Sequence, residues 1–174
     1  MGILKVLIYP HRSLRTTAAE VKEVTDDVRT NARDLLETLR SIQDGGALAA
    51  TQVGIGLRMV ALNDSVSREI GSANVILNPK VTRASQYIEI GNESCLSFPG
   101  LSLKIARPVD IDVSWMDLDG YTHQVYLRRG GYTPRCLQHE IDHLDGRLFI
   151  DQLDRKQKFV IIAQMRKNKI SGRR

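Results

Sequence analysis

The chain has 174 residues, of which 42% are hydrophobic and 26% charged, enough for one domain with its own core and ordinary for a globular protein. No apolar run approaches the roughly 20 residues of a membrane span, and the short apolar start lacks the small-residue cleavage site of a secretory signal. The net charge of +5 is uneven: residues 155–174 hold eight Lys and Arg and no acid, so the rest sums to −3, and the chain is an acidic body with a basic tail rather than a uniformly basic protein. Gly2 is followed by Val6 where a myristoylation signal needs Ser or Thr. The expected compartment is the cytoplasm, where Cys95 and Cys136 serve packing or chemistry rather than a disulfide.

Residues 25–43 place Val28, Ala32, Leu35, Leu36, Leu39 and Ile42 at helical spacing. Thr25 or Asp26 supplies a cap, and Asp26 and Asp27 suit the positive end of the helix dipole. Residues 45–56, "GGALAATQVGIG", read as a Gly-rich loop. "LRMVALN", "VILNPKV" and "SQYIEI" read as strands. Residues 109–128 read as a hairpin, with Ile111, Val113 and Trp115 alternating with polar residues and Asp119-Gly120 at the turn. "YTPRCLQHEIDHL" reads as a helix with Pro134 near its first turn. "RKQKFVIIAQMRKNKI" reads as a last helix with Phe159, Ile162, Ala163 and Met165 on its apolar side. Neither a repeat nor a linker divides the chain, so a single domain over 1–174 is expected, with the basic C-terminal helix of 155–174 inside it. The predicted class is α+β: short, mainly antiparallel sheets packed around a central helix, with a C-terminal helix.

"QHEIDHLDG", residues 138–146, carries the chemistry. His139 and His143 are four apart, share a helix face and can both address one metal, while Glu140 is offset toward a bound water. A bare H-E-x-x-H also occurs by chance as packing or capping residues, so a third ligand has to be found. Downstream of His143 there is no His or Glu, and the position of a further His in the extended motif is Phe149. Asp145 is too close along the chain, leaving only Asp151 and Asp154 beyond it. Cys136 lies on nearly the same face, but seven residues of helix rise about 10 Å, too far to share a metal with His143. It reads better as a core residue. Cys95, in "NESCLSFPG", completes a Cys-His-His set with an open fourth position, the pattern of a catalytic metal.

Three ordered segments resemble the peptide deformylases. "GGALAATQ" (45–52) is similar to that family's G-x-G-x-A-A-x-Q, "ESCLS" (93–97) to its E-G-C-L-S and "QHEIDH" (138–143) to its Q-H-E-x-D-H. The opening "YPHRSLR" also resembles the family. The departures are Ala47 and Ser94, each in place of a motif glycine. A glycine there can serve a positive φ or a close approach to a ligand, so either change would strain the backbone or narrow the pocket.

The resemblance implies hydrolysis of the formyl group from the N-terminal formyl-methionine of new chains. It assigns Cys95, His139 and His143 to one divalent metal, by family habit Fe2+, with Zn2+, Ni2+ or Co2+ also accepted. Glu140 becomes the general base, and the Gln52 amide with the Leu96 backbone N–H receives the oxyanion. Gly45 and Gly46 are expected to offer backbone to a peptide lying as an added strand. Glu93 is expected to pair with Arg107, and Asp142 and Gln138 to support the ligands. The expected partners are N-formylmethionyl nascent peptides and, through Arg166, Lys167, Lys169, Arg173 and Arg174, the ribosome surface; no membrane or oligomer is indicated. Two further readings stay open: an amidase or peptidase with altered preference, and an inactive homologue that binds peptide or ribosome.

Overall fold

The computed structural model describes residues 2–128 and 130–170, including the side chains of all of these except 164 and 166–170. In chain order the elements are α1 (Asp26–Arg40), β1 (Ala47–Ala49), β2 (Met59–Leu62), α2 (Asp64–Glu69), β3 (Val75–Ala84), β4 (Ile88–Ser94), β5 (Ser102–Pro108), β6 (Ile111–Met116), β7 (Thr122–Leu127), α3 (Tyr132–Leu144) and α4 (Arg155–Ile170), with short 3-10 turns at Arg12–Arg15, Ala50–Val53 and Phe149–Gln152. Five strands form one antiparallel sheet in the order β1-β2-β3-β6-β7, and β4 and β5 form a separate antiparallel pair.

The large sheet separates two apolar layers, and strand alternation decides which residue serves which. Ala47, Ala49, Val60, Leu62 and Ile76 face α3, packing on Cys136, Leu137, Ile141 and Leu144. Leu48, Met59, Ala61, Val75 and Leu77 point the other way, onto Val28, Ala32, Leu35 and Leu39 of α1. Helix α1 begins where Thr25 accepts a hydrogen bond from the Val28 N–H, as its spacing predicts. A third cluster of Leu14, Cys95, Phe98, Ile105, Leu148, Phe149 and Ile150 joins the β4–β5 pair to the C-terminal segment. Helix α3 thus runs between the large sheet on one side and the small pair on the other. Its end is sealed by the Ala18 N–H, which donates to Leu144 O at 2.8 Å. Just beyond, Gly146 turns at φ +70°, where an added Cβ would meet Arg15 O at 2.7 Å, so this position needs glycine twice over.

Two expectations change, and two further elements appear that the sequence did not announce. The Gly-rich loop contains a strand, β1, buried on both faces and therefore without alternation. The stretch 102–108 is a strand, β5, and 64–69 a short helix capped by Asn63. On α4 the residues turned inward are Ile161 and Met165, which pack on the third cluster, while Phe159 is 74% exposed. Five consecutive apolar residues, Phe159–Ala163, leave the phase of that helix undetermined by sequence; the i, i+4 pair nearest the Phe149–Ile150 turn sets it. No helix among the described residues is long and apolar enough to cross a membrane.

Candidate active site

One turn after another of α3 presents Tyr132, Arg135 and Cys136, then His139 and Glu140, then His143, along the seam between the sheets. The end of β4 and the turn after it bring Cys95 across from them. A cavity of about 750 Å³ opens on this seam, lined at its inner end by Gln52, Glu93, Cys95, His139 and Glu140.

The ligand atoms of Cys95, His139 and His143 lie within 4.8 Å of one another, and all three residues are buried. Cys95 Sγ is 3.2 Å from His143 Nε2. The His139 ring is oriented from behind, its Nδ1 lying 2.9 Å from Glu93 Oε2 and leaving Nε2 for the cluster. Three soft or borderline donors converging in a buried space, one thiolate and two imidazoles, fit a divalent transition metal. Cys136 stands outside the group, its thiol pushed up by burial and by the Glu140 charge.

Glu93 is the hub behind the cluster. Its Oε1 accepts from Arg107 Nε at 2.8 Å and Arg135 Nη1 at 3.1 Å, and its Oε2 from Arg107 Nη2 at 3.0 Å as well as facing His139. With these four contacts the carboxylate is saturated. Burial works to raise it, but the His139 and Arg107 hydrogen bonds win and hold it at about 2. A depressed carboxylate stabilises the fold above its ordinary value of 4.5 and loses that contribution as pH falls toward about 2. Acid unfolding followed by circular dichroism is therefore expected to show wild type losing on the order of 2–3 kcal/mol more than Glu93→Gln across that window. Parallel curves for the two proteins would mean that the charge on Glu93 contributes nothing.

Arg107 also binds Asp142 on α3, and Asp142 Oδ1 takes Arg147 at 2.9 Å. Asp142 thus acts on His139 only through Arg107 and Glu93. Gln138 does not reach the ligands: its amide donates to Pro108 O and Pro134 O at 3.1 and 2.9 Å, tying α3 to the end of β5. Arg135 and Ser97 are the site residues that sequence reasoning missed; Arg135 lies four before His139, so the helical spacing carried the signal.

Gln52 is fixed by its carbonyl, which accepts from the Ala49 N–H at 2.8 Å. That leaves its NH2 facing Ser97 Oγ at 3.2 Å and Cys95 Sγ at 3.6 Å. Leu96 lines the cavity beside it. Glu140 is 5% exposed, with Oε2 buried and unpartnered among the described groups. Burial pushes this carboxyl up to about 7, against the lowering effect of the His139 charge. Gly45 and Gly46 also line the cavity, but their carbonyls already accept from Asn63, at 3.1 and 3.0 Å. Ala47 and Ser94 border the cavity too, and neither has a positive φ, so the replaced motif glycines cost no backbone strain.

A buried cysteine–bis-histidine cluster with an adjacent carboxyl, at the floor of a cleft, defines a metal-dependent hydrolase. The family model described as Polypeptide deformylase matches residues 3–159, and the chain belongs to the peptide deformylase family. A peptide deformylase of Alkalilimnicola ehrlichii is 38% identical over 99% of this chain and 94% of its own, and one of Afipia carboxidovorans is 33% identical over 96% of each. The crystal structure of the Ehrlichia chaffeensis peptide deformylase in complex with actinonin superposes with a TM-score of 0.85 at 33% identity, covering 97% of this chain and 98% of that one.

Proposed function

We propose that this family member removes the formyl group from the N-terminal methionine of nascent peptides at the Cys95–His139–His143 cluster, with Glu140 as base and Gln52 as oxyanion donor. The observation that carries the reading is the convergence of the three ligand atoms within 4.8 Å at the floor of the cavity. Cys95, His139 and His143 would hold a divalent cation, which would supply Lewis-acid activation there. Glu140 takes a proton from the attacking water and passes it to the departing amine nitrogen, so that formate and a free N-terminus are released. The Gln52 NH2 and the Leu96 backbone N–H donate to the oxygen on which negative charge develops. Glu93 keeps the His139 ring turned, and Arg107 with Asp142 behind it keeps Glu93 ionised.

Ferrous iron is the cation proposed, although the same donors suit zinc, nickel or cobalt. The whole chain is proposed to act as one catalytic domain in the cytoplasm. Ribosome attachment through the basic end of α4 is a further part of the reading. Its basis is sequence charge: the side chains of Arg166, Lys167 and Lys169, and all of Arg173 and Arg174, lie outside the described residues.

The test is an anaerobic assay of iron-loaded protein on formyl-Met, acetyl-Met and unblocked peptides. Turnover confined to the formyl peptide is expected. Comparable turnover of acetylated or unblocked peptides would replace the reading with a broader amidase or peptidase, and no turnover of any would replace it with a binding homologue.

A further inference from the structure

Gly46 and Gly91 both have ordinary backbone angles, so what they provide is space. A Cβ built on Gly46 would lie 1.7 Å from the Tyr132 hydroxyl oxygen. One built on Gly91 would lie 2.8 Å from Cζ and Nη2 of Arg135. Tyr132 and Arg135 are three apart in the first turn of α3, on the face that continues through Cys136 to His139, and both line the cavity. The two glycines thus leave room for a phenol and a guanidinium on the helix, so this part of the wall carries hydrogen-bond donors.

The location matters for the substrate. Arg135 and Tyr132 lie about 6 and 10 Å along the helix from His139. The scissile amide must sit at the Cys95–His139 end. The α-carbon is one bond from the amide nitrogen, and an unbranched side chain on it extends about 5 Å further. Directed along the cavity toward the N-terminus of α3, its end comes level with this pair. Arg135 is already held in place, since Nη1 donates to Glu93 Oε1 at 3.1 Å and Ile105 O at 2.8 Å, and Nη2 to Glu89 O at 2.9 Å. These bonds take three of its five N–H donors. A guanidinium already fixed by its neighbours loses little side-chain entropy when it binds an oxygen acceptor.

We propose that Tyr132 and Arg135 form a polar subsite for the first side chain of the substrate, favouring, over an aliphatic chain of equal length, a formyl residue whose unbranched side chain ends in an oxygen acceptor. The sulfoxide of oxidised formyl-methionine has this chemistry at the length of methionine itself. The inference rests on the deformylase reading of the cavity.

The test compares kcat/KM for formyl-methionine-sulfoxide and formyl-norleucine peptides of otherwise identical sequence. Because the scissile group is the same, the ratio cancels any loss of rate that reaches His139 through Glu93. In Arg135→Met the ratio is expected to fall at least about tenfold toward norleucine, the size of a lost charge-assisted hydrogen bond. Tyr132→Phe removes one hydroxyl without threatening the fold, and Gly91→Ala displaces the guanidinium while keeping it; both should move the ratio in the same direction. A ratio constant within about twofold across the three variants overturns the subsite. A wild-type protein that deformylates neither peptide would instead overturn the deformylase reading, and this inference with it.

Discussion

Glu140→Gln is expected to retain the fold and the bound cation and to lower kcat about 10²- to 10⁴-fold, the usual contribution of a general base. The side chains are nearly isosteric, and neither the thiolate nor the two imidazoles are altered, so metal analysis should match wild type. What is lost is the buried carboxyl beside the cluster whose Oε2 has no partner among the described groups. The pH profile carries a second signature. Burial raises the Glu140 carboxyl to about 7 in the metal-free site, so it keeps its proton below that value and cannot act as base. A neighbouring dication favours the carboxylate, so the acid limb of kcat/KM in loaded enzyme should fall below about 7, with the rate rising through it as pH increases. The glutamine variant should lack that limb. Turnover near the wild-type rate at full metal content would remove Glu140 from the chemistry.

The grouping of Cys95, His139 and His143 was legible because the physics behind it is local or eliminative. Helix geometry pairs His139 with His143, helix rise sets Cys136 apart, and no further His or Glu lies downstream. The support behind the trio was only half legible. Strand β5 escaped notice because its inward row is Leu103, Ile105 and Arg107, and a buried arginine breaks the apolar alternation by which a strand is recognised. That arginine is tolerated inside because Glu93 and Asp142 meet it there, a pairing between residues 14 and 35 positions away. The pairing of Arg135 with Glu93, 42 positions away, was hidden in the same way, although its helical spacing from His139 was visible. Gln138 shows the converse error: it sits inside a motif next to a ligand, yet its amide is spent on two backbone carbonyls. Motif membership located the region but not the direction of each side chain. Helix α4 itself and its inward Met165 were legible, but Phe159 through Ala163 are all apolar and only the surface beneath could choose among them.

The two cysteines should separate cleanly. Cys95→Ser is expected to weaken metal binding by more than about 10²-fold, since changes to the partners of ligands alone cost about 10–100-fold and a serine hydroxyl does not ionise to replace a thiolate. Stability should change less than in the Cys136 variant, because a hydroxyl placed there still faces the polar groups of His143 and Gln52. Cys136→Ser should do the opposite. Its thiol is 8% exposed in the apolar layer between α3 and the large sheet, with burial pushing its pKa up so that it stays protonated and behaves as a small hydrophobe. A hydroxyl placed there is expected to cost on the order of 1–3 kcal/mol in urea unfolding, with metal affinity unchanged. Metal titration and denaturation of both variants decide the matter. If Cys136→Ser loses the metal and Cys95→Ser keeps it, the 10 Å rise that separates Cys136 from His143 would not be the obstacle that helix geometry makes it.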